Sequence, residues 1–256
     1  MRILVIQQKM IGDVLISSLL CKNLKLWNPN IHVEFLVNRH TLDVIRHNPY
    51  IDEVVIFEDH FKKNKFGLFQ FLLHRRKQKY DYIIDVYGKL ESFLICLFTP
   101  ATQKIGYKKA LSPLFYDKEI KILKVQDDAL QLSIKDRLRL LAPIMGDFPK
   151  NSEVEIHLTP EEIEISRKRL DAVLGKGKKA IMVSALGSSE NKTYPFEYMA
   201  QLMDTAFRTT NLPFILNYRP DQEGLIDLLI NQLQPTTQKA VMKSLTPNSL
   251  RDYMAT

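Results

Sequence analysis

Short runs of apolar, mostly β-branched residues alternate along the chain with longer stretches in which apolar residues recur at helical spacing. In the first half, the short runs predict five strands, over 2–7, 32–37, 53–57, 82–86 and 104–107. The longer stretches predict helices over 13–27, 41–46, 66–78, 90–97 and 129–141. Strands separated by helices of this length predict right-handed βαβ connections and a parallel sheet.

A similar but shorter series fills the second half. It predicts strands over 179–184, 213–217 and 239–242, and helices over 160–174, 195–208 and 221–232. Thr159 and Glu162 form a predicted capping box at the first of these helices. The predicted class is α/β with two domains, 1–145 and 153–256, and the second has too few strands to be complete. The segment between them has turn-forming composition and no periodicity, which favours a linker.

The composition of the chain argues against several classes of protein. Hydrophobic residues make up 45% of the chain and charged residues 25%, which argues against disorder and fibres. No apolar run approaches the ~18 residues that a membrane-spanning helix requires. The two cysteines, Cys21 and Cys96, lie in apolar helical runs and cannot build a disulfide framework or a zinc site, so a reducing, cytosolic compartment is expected. No metal-ligand spacing is found, and no metal is expected.

The charge is moderately basic and unevenly placed. The chain has 36 Lys and Arg against 29 Asp and Glu, a net charge of +7. The segment 60–80 holds Lys and Arg residues but no acid, with Phe61, Phe66, Phe69 and Phe71 among them. This basic segment suits an anionic partner such as a nucleotide, a phosphorylated lipid or a membrane surface. The alternative is a solvated helix face; a nucleic-acid function is disfavoured because no recognised nucleic-acid module accompanies the segment.

The first segment with candidate chemistry is the turn after the first strand. Ligands of doubly wound sheets bind at the carboxyl ends of strands, which is where Gly12 and Asp13 are expected. Gly12 permits close approach of the backbone to a ligand. Asp13 stands at the start of a helix, where a simple N-cap is the alternative interpretation. Neither a GxGxxG nor a P-loop motif is present, which disfavours dinucleotide-binding and P-loop proteins.

Three segments of the first half resemble glycosyltransferase family 9, the ADP-heptose:lipopolysaccharide heptosyltransferases. Residues 11–15 (IGDVL) are similar to the family's (R/K)IGD(V/M)L turn, with Met10 in place of the usual Arg. Residues 48–54 (NPYIDEV) and 80–85 (YDYIID) are similar to its NPYIDEV and YDLVIDL segments. The matches occur in the family's order, which makes the resemblance more specific than any one motif.

The second half resembles the same family in two places. The loop after strand 179–184 is similar to a GAS…K.WP loop, with Gly187, Ser188, Lys192 and Pro195 matching and Tyr194 in place of Trp. Such a loop suits a diphosphate, because backbone N–H groups, hydroxyls and a lysine all interact favourably with negatively charged phosphate oxygens. The alternative is a plain solvent-exposed loop. Glu223 matches the acid expected to hold the sugar hydroxyls of the nucleotide, although a first-turn helix Glu is equally consistent.

The resemblance implies two Rossmann-like domains of the GT-B type and an inverting, metal-independent transfer of a sugar, expected to be heptose, from an ADP-activated donor. Asp13 would be the base and Lys192 would stabilise the departing diphosphate across a shared cleft. The implied donor-binding residues are Gly187, Ser188, Ser189, Lys192 and Glu223. The implied acceptor-binding residues are Lys9, Gly12, Lys62 and Lys63. No cofactor is implied beyond the ADP-sugar substrate; the partners are this nucleotide-sugar and a phosphorylated glycolipid acceptor. The protein would be cytoplasmic, with peripheral contact to the anionic inner membrane face.

Part of the family pattern is missing. Members carry a DTG…H.A.A turn in the second domain, and the sequence ends before its place, so the resemblance covers about three quarters of a family member and a truncated chain is expected. Two alternatives therefore stand beside the transferase. One is a non-catalytic remnant or binding module, and the other is a GT-B transferase that uses another nucleotide-sugar.

Overall fold

The computed structural model describes residues 1–123, 131–187 and 189–256, apart from the side chains of residues 62, 220 and 244. The described residues form two compact units, Met1–His157 and Leu158–Thr256. Within them, no helix has both the length and the apolar composition that crossing a bilayer requires.

A parallel sheet forms the centre of the first unit. Its strands are β1 Arg2–Ile6, β2 His32–Asn38, β3 Glu53–Phe57, β4 Tyr80–Asp85, β5 Ala101–Tyr107 and β6 Lys118–Ile120. They lie in the order β3-β2-β1-β4-β5-β6, and every neighbouring pair is parallel. The five predicted strands are confirmed. Strand β6 was not predicted, because three residues are too few to display an alternating pattern.

Helices connect these strands on both faces of the sheet. They are α1 Ile11–Trp27, α2 Lys65–Arg76, α3 Leu90–Phe98, α4 Leu132–Arg139 and α5 Ala142–Met145. The predicted helix 41–46 is a 3₁₀ helix, Arg39–Val44, and the start of predicted helix 129–141 lies outside the described residues. Since α1 leads toward β2 while α2 and α3 lead the opposite way, right-handed connections place α2 and α3 on the face opposite α1. In agreement, α2 contacts α3 and α1 contacts α4.

The core of this unit follows from the apolar strands. Residues 3–6 of β1 are completely buried, as expected for a central strand covered on both faces. On the α2 and α3 face, Phe57 packs against Phe61 and Phe71 with ring centroids 5.2 and 5.5 Å apart. Phe61 and Phe71 therefore belong to the core, and of the aromatic residues in the basic segment only Phe66 and Phe69 are on the surface.

One arginine of the basic segment is also internal. Arg75 is buried, and its Nη1 lies 3.5 Å from Oε2 of the fully buried Glu34. The Tyr80 hydroxyl donates to the same oxygen at 2.6 Å, and Arg2 pairs with the other carboxylate oxygen. A buried carboxylate needs such partners, because an unpaired charge is costly to remove from water. Arg75 thus fixes α2 to β2 and is not available to an anionic ligand.

The first unit extends beyond the predicted linker. Asn23 of α1 is fully buried; its Nδ2 donates to the carbonyl of Asn151 at 2.8 Å and its Oδ1 accepts from the Asn151 N–H at 2.7 Å. Lys22 Nζ lies 2.7 Å from Oε1 of Glu155, and the rings of Tyr50 and His157 meet edge to face. These contacts hold the segment after residue 150 to α1 and to the turn before β3, so the unit ends at His157.

The second unit is smaller. Its elements are α6 Pro160–Leu174, β7 Ile181–Val183, α7 Phe196–Thr210, β8 Phe214–Leu216, α8 Glu223–Ile230, α9 Pro235–Lys239 and α10 Leu250–Ala255. Strands β7 and β8 pair in parallel, and the predicted strand 239–242 is reduced to a single bridge between Phe214 and Val241. The capping box is confirmed, since the Thr159 N–H donates to Glu162 and the Glu162 N–H to Thr159. The side chain of Phe214 is buried, and it packs with apolar residues of α7 and α8 in the core of this unit.

Candidate active site

The turn that carries Gly12 and Asp13 lies where the order of the sheet reverses. The chain adds β2 and β3 on one side of β1, then β4, β5 and β6 on the other. The carboxyl ends of β1 and β4 therefore form the topological switch point, which is where open α/β sheets bind their ligands. A Cβ at Gly12 would meet no described atom within 4 Å, so this part of the turn is open to a ligand.

Asp13 is held by an arginine from a distant helix. Helix α1 begins at Ile11 with Met10 as its N-cap, so Asp13 lies in the first turn and is not the cap. Arg137 Nη2 lies 2.6 Å from Oδ1 of Asp13, while its Nε donates to Oγ of Ser17 at 3.0 Å and its Nη1 to the carbonyl of Ser133 at 2.8 Å. The Arg137 side chain is 11% exposed and that of Asp13 is 46% exposed. The carboxylate is thus fixed on one side and accessible from the other.

The neighbouring turn after β4 is built on a second carboxylate. Asp85 is completely buried, and its Oδ1 accepts from the N–H groups of Tyr87 and Gly88 at 3.0 and 2.9 Å. Its Oδ2 accepts from the Tyr116 hydroxyl at 2.6 Å. Burial raises the pKa of Asp85, and these hydrogen bonds oppose the rise. The network fixes the shape of the turn, and Asp85 itself has no access to a ligand.

A lysine packs against this turn. Lys109 Nζ donates to the carbonyl of Gly88 at 2.8 Å. Partial burial and the nearby charge of Lys89 lower the pKa of Lys109, while Asp85 opposes the shift. The two lysines bring positive charge to the carboxyl end of β4, beside the turn of Asp13, where an anionic group of a substrate would gain from it.

The other predicted acceptor residues are more dispersed. Lys9 belongs to the turn after β1 and acts electrostatically on Asp59. Lys63 is exposed after β3, at the same end of the sheet but two strands away from β1. The side chain of Lys62 lies outside the described structure.

The predicted donor loop closes on itself around Gly187. The Gly187 N–H donates to Oγ1 of Thr193 at 3.1 Å, and the same hydroxyl donates to the carbonyl of Ser189 at 3.0 Å. A Cβ at Gly187 would lie 2.2 Å from the carbonyl oxygen of Lys192, so only glycine fits there. Lys192 ends a short 3₁₀ turn of this loop, and Ser188 lies outside the described residues.

A cleft of about 660 Å³ opens beside this loop. Its walls come from the loop, the start of α7 and the start of α8; they are Leu186, Gly187, Ser189, Glu190, Thr193, Tyr194, Pro195, Phe196, Gln222 and Leu225. Lys192 and Glu223 lie next to lining residues in the chain. Glu223 is the first residue of α8, and its Oε1 lies 4.0 Å from Nζ of Lys243. A volume of this size suits a small organic ligand with polar groups.

Sequence reasoning missed Arg137, Asp85, Tyr116 and Lys109. Arg137 is 124 residues from Asp13 in the chain, and its helix displayed only ordinary amphipathic spacing. The segment from Asp85 to Gly88 did carry a signal, because an acid followed by a glycine ends a predicted strand at the switch point. Tyr116 is 31 residues further along and offers no such signal.

The fold is shared with solved glycosyltransferases. The crystal structure of the glycosyl transferase family 9 from Veillonella parvula aligns with a TM-score of 0.73 and 18% identity, over 91% of this chain and 67% of that one. The E. coli heptosyltransferase WaaC with ADP aligns with a TM-score of 0.67 and 17% identity, over 90% and 72% of the two chains. Likeness at these identities establishes the fold, which is that of the GT-B class of glycosyltransferases.

Sequence comparison narrows this class to one family. The profile of glycosyltransferase family 9 (heptosyltransferase) matches residues 70–241, and the chain belongs to this family. Lipopolysaccharide heptosyltransferase 1 of Campylobacter coli is 22% identical over 209 residues. The alignment covers 79% of this chain and 59% of that relative, so the chain spans less than two thirds of the relative's length. The family predicted from the motifs is confirmed.

Proposed function

We propose that this chain transfers a sugar, heptose, from an ADP-activated donor to a phosphorylated lipopolysaccharide core acceptor, with inversion and without a metal ion. The observation that carries the proposal is the Asp13 carboxylate, fixed by Arg137 at the switch point yet open to a ligand. An acceptor hydroxyl is a weak nucleophile, and a positioned carboxylate is the group that such a hydroxyl requires.

The proposed reaction is a single displacement at the anomeric carbon. The acceptor oxygen forms a bond to the anomeric carbon and gives its proton to Asp13, while the bond from that carbon to the diphosphate oxygen breaks and ADP leaves. Attack opposite the leaving group inverts the anomeric centre. Lys192 stabilises the charge that develops on the diphosphate, since a cation at the developing charge lowers the barrier.

The cleft of the second unit supports the donor assignment. Ser189 offers its hydroxyl to a diphosphate, as Ser188 would, and Tyr194 offers an aromatic face. The Gly187 N–H and the Thr193 hydroxyl hold the loop that presents these groups. Glu223 would accept from sugar hydroxyls, in competition with its contact to Lys243. Among relatives, E. coli WaaC has been solved with ADP.

The acceptor would bind at the first unit, near Lys9 and Gly12, with Lys62 and Lys63 further along the same end of the sheet. A phosphorylated glycolipid fits these cations. The same acceptor implies that the protein works in the cytoplasm, in peripheral contact with the anionic inner face of the membrane.

A second candidate function is a binding module without turnover. A transferase that uses another nucleotide-sugar is the remaining alternative, since Asn217 and Tyr218 stand where the family has glycines before Glu223.

Transfer assays with a panel of ADP- and UDP-sugars separate these possibilities, together with calorimetry of ADP binding. We expect transfer from ADP-heptose that withstands EDTA, a loss of about 10²–10⁴-fold in Asp13→Asn with ADP binding retained, and weaker ADP binding in Lys192→Ala. The controls are Asp147→Asn and Lys176→Ala, two exposed residues outside the site. ADP binding without transfer would support the binding module, and full activity of Asp13→Asn would reject its role as base.

A further inference from the structure

Helix α2 presents an apolar stripe to solvent. Phe66, Phe69 and Leu73 recur at a spacing of three and four residues, so they share one face of the helix. The opposite face carries the buried Leu72 and Arg75 and packs on the sheet. An exposed stripe of two phenylalanines and a leucine has no role in the core of this unit.

The stripe is part of a larger apolar surface. On α3, which packs beside α2, Leu90 and Leu97 are exposed. The segment after β5 adds Leu111 and Leu114, and the ring of the next residue, Phe115, stacks on Phe93 of α3 with centroids 4.7 Å apart. These seven side chains are between 39% and 72% exposed, and they are Phe66, Phe69, Leu73, Leu90, Leu97, Leu111 and Leu114. We call them the α2–α3 surface.

Cations accompany this surface. The basic residues exposed in and around α2 are Lys63, Lys65, Arg76, Lys77 and Lys79. None of them pairs with a described carboxylate, and helix α2 contains no Asp or Glu. On α3, Glu91 is the single acid. Apolar side chains bordered by unpaired lysines and arginines match the interface of an anionic bilayer, which offers both hydrocarbon and negative headgroups.

We propose that the α2–α3 surface docks the protein on an anionic lipid bilayer. Its phenylalanine and leucine side chains enter the headgroup region, and the neighbouring lysines contact the lipid phosphates. Charge selects this occupant, because a surface that joins copies of one chain gains nothing from five unpaired cations of the same sign. Large exposed apolar patches on folded chains mark such interaction surfaces.

The surface also reaches the catalytic end of the sheet. Phe66, Leu90 and Leu111 lie near the starts of the segments that follow β3, β4 and β5, so they approach the carboxyl ends of these strands. Asp13 follows β1 at that same end. Docking there would bring the first unit to a lipid-borne acceptor, and in this respect the inference rests on the proposed function.

The test is sedimentation of the full chain with vesicles of phosphatidylcholine containing about one-quarter phosphatidylglycerol, compared with pure phosphatidylcholine. We expect binding to the anionic vesicles that weakens as salt is added. Reversal of two charges in Lys65→Glu/Lys77→Glu should weaken binding by at least about tenfold, from the usual gain per basic residue near such a surface. Phe66→Ser/Phe69→Ser should weaken it by a similar factor.

Matched controls lie on the second unit. Ile165→Ser/Leu202→Ser removes two apolar side chains of comparable exposure, and Lys176→Glu/Lys178→Glu reverses two exposed charges. Both controls should bind as the parent does, and melting curves check that all variants fold. Equal losses of vesicle binding in the test and control pairs would reject the α2–α3 surface as the docking site, because net charge alone would then account for the binding.

Orientation gives an independent measurement. Trp27 is the single tryptophan and ends α1, on the other face of the sheet. Brominated lipids should therefore quench little of the parent fluorescence but most of the added indole fluorescence in Phe69→Trp. Absence of that quenching would overturn the proposal, as would a change of oligomeric state in Phe66→Ser/Phe69→Ser with vesicle binding intact. No donor or acceptor sugar is present, so the result is independent of whether transfer occurs.

Discussion

Arg137 and Asp13 form an ion pair between α4 and the first turn of α1, with Nη2 of the arginine 2.6 Å from Oδ1 of the carboxylate. The guanidinium is itself fixed by Ser17 and by the carbonyl of Ser133. Because the guanidinium makes three contacts, its position is fixed, and it fixes the position of the Asp13 carboxylate in turn. Arg137 is therefore a positioning residue for the proposed base.

We predict that Arg137→Gln lowers kcat for transfer by about 10–100-fold, because a small displacement of a catalytic group is costly. KM for the donor should change little, since the proposed donor cleft belongs to the other unit. Arg137→Lys should recover only part of kcat, since an ammonium cannot make the three contacts together. Steady-state kinetics measure both effects, with Arg139→Gln as the control on the same helix. Equal loss in both variants would contradict a positioning role.

The proposed donor loop around Gly187 gives a second prediction. In Gly187→Ala, the new Cβ would lie 2.2 Å from the carbonyl oxygen of Lys192, so the loop has to move. We expect weaker ADP binding by calorimetry. Gly224→Ala is the matched control, because nothing lies within 4 Å of its Cβ position and alanine favours helix α8 by about 0.5–1 kcal/mol. Unchanged ADP binding in Gly187→Ala would remove this loop from the donor site.

A third prediction concerns the segment that ends the first unit. Asn23→Ala removes two hydrogen bonds to the backbone of Asn151 and leaves buried groups unsatisfied. The free energy of unfolding should fall by about 1–3 kcal/mol. Urea unfolding measures the change, and the exposed Asn30→Ala should leave the midpoint unaltered. A shift of equal size in the control would mean that the Asn151 contacts contribute nothing.

Features that depend on neighbours in sequence could be predicted. The Thr159 and Glu162 capping box spans three residues, and β1 to β5 are runs of apolar residues, so each was found. The contacts that define the site connect distant positions. From the sequence alone, Arg75, Phe61 and Phe71 would all be assigned to a basic surface. The structure shows that Arg75 instead pairs with the buried Glu34, and that both phenylalanines pack in the core. Charge and hydrophobicity do not state which face of α2 a residue occupies.

The last prediction follows from Glu162 in the second unit. Its Oε1 accepts from Nε of Arg251 at 2.8 Å, which joins the start of α6 to α10. The hydrogen bonds from Arg251, opposed by partial burial and assisted by the Thr159 N–H, lower the pKa of Glu162 from its ordinary 4.5 to about 2. The folded state thus keeps Glu162 ionised at acidities where the unfolded chain has already bound a proton.

The direction of the pH effect follows from proton binding. Between pH 4.5 and about 2 the unfolded state holds more protons on this residue than the folded state, so the stabilisation is complete above 4.5 and is lost as the pH falls through about 2. Glu162→Gln should lower the stability of the second unit near neutral pH and flatten its dependence on pH in this window. Hydrogen exchange of amides in α6 and α10 of the full chain, followed across the window, reports the change. Glu161→Gln removes the same charge from the exposed neighbour and should retain the parent pH dependence; identical profiles for the two variants would show that net charge alone, and not the contact with Arg251, governs the acid response.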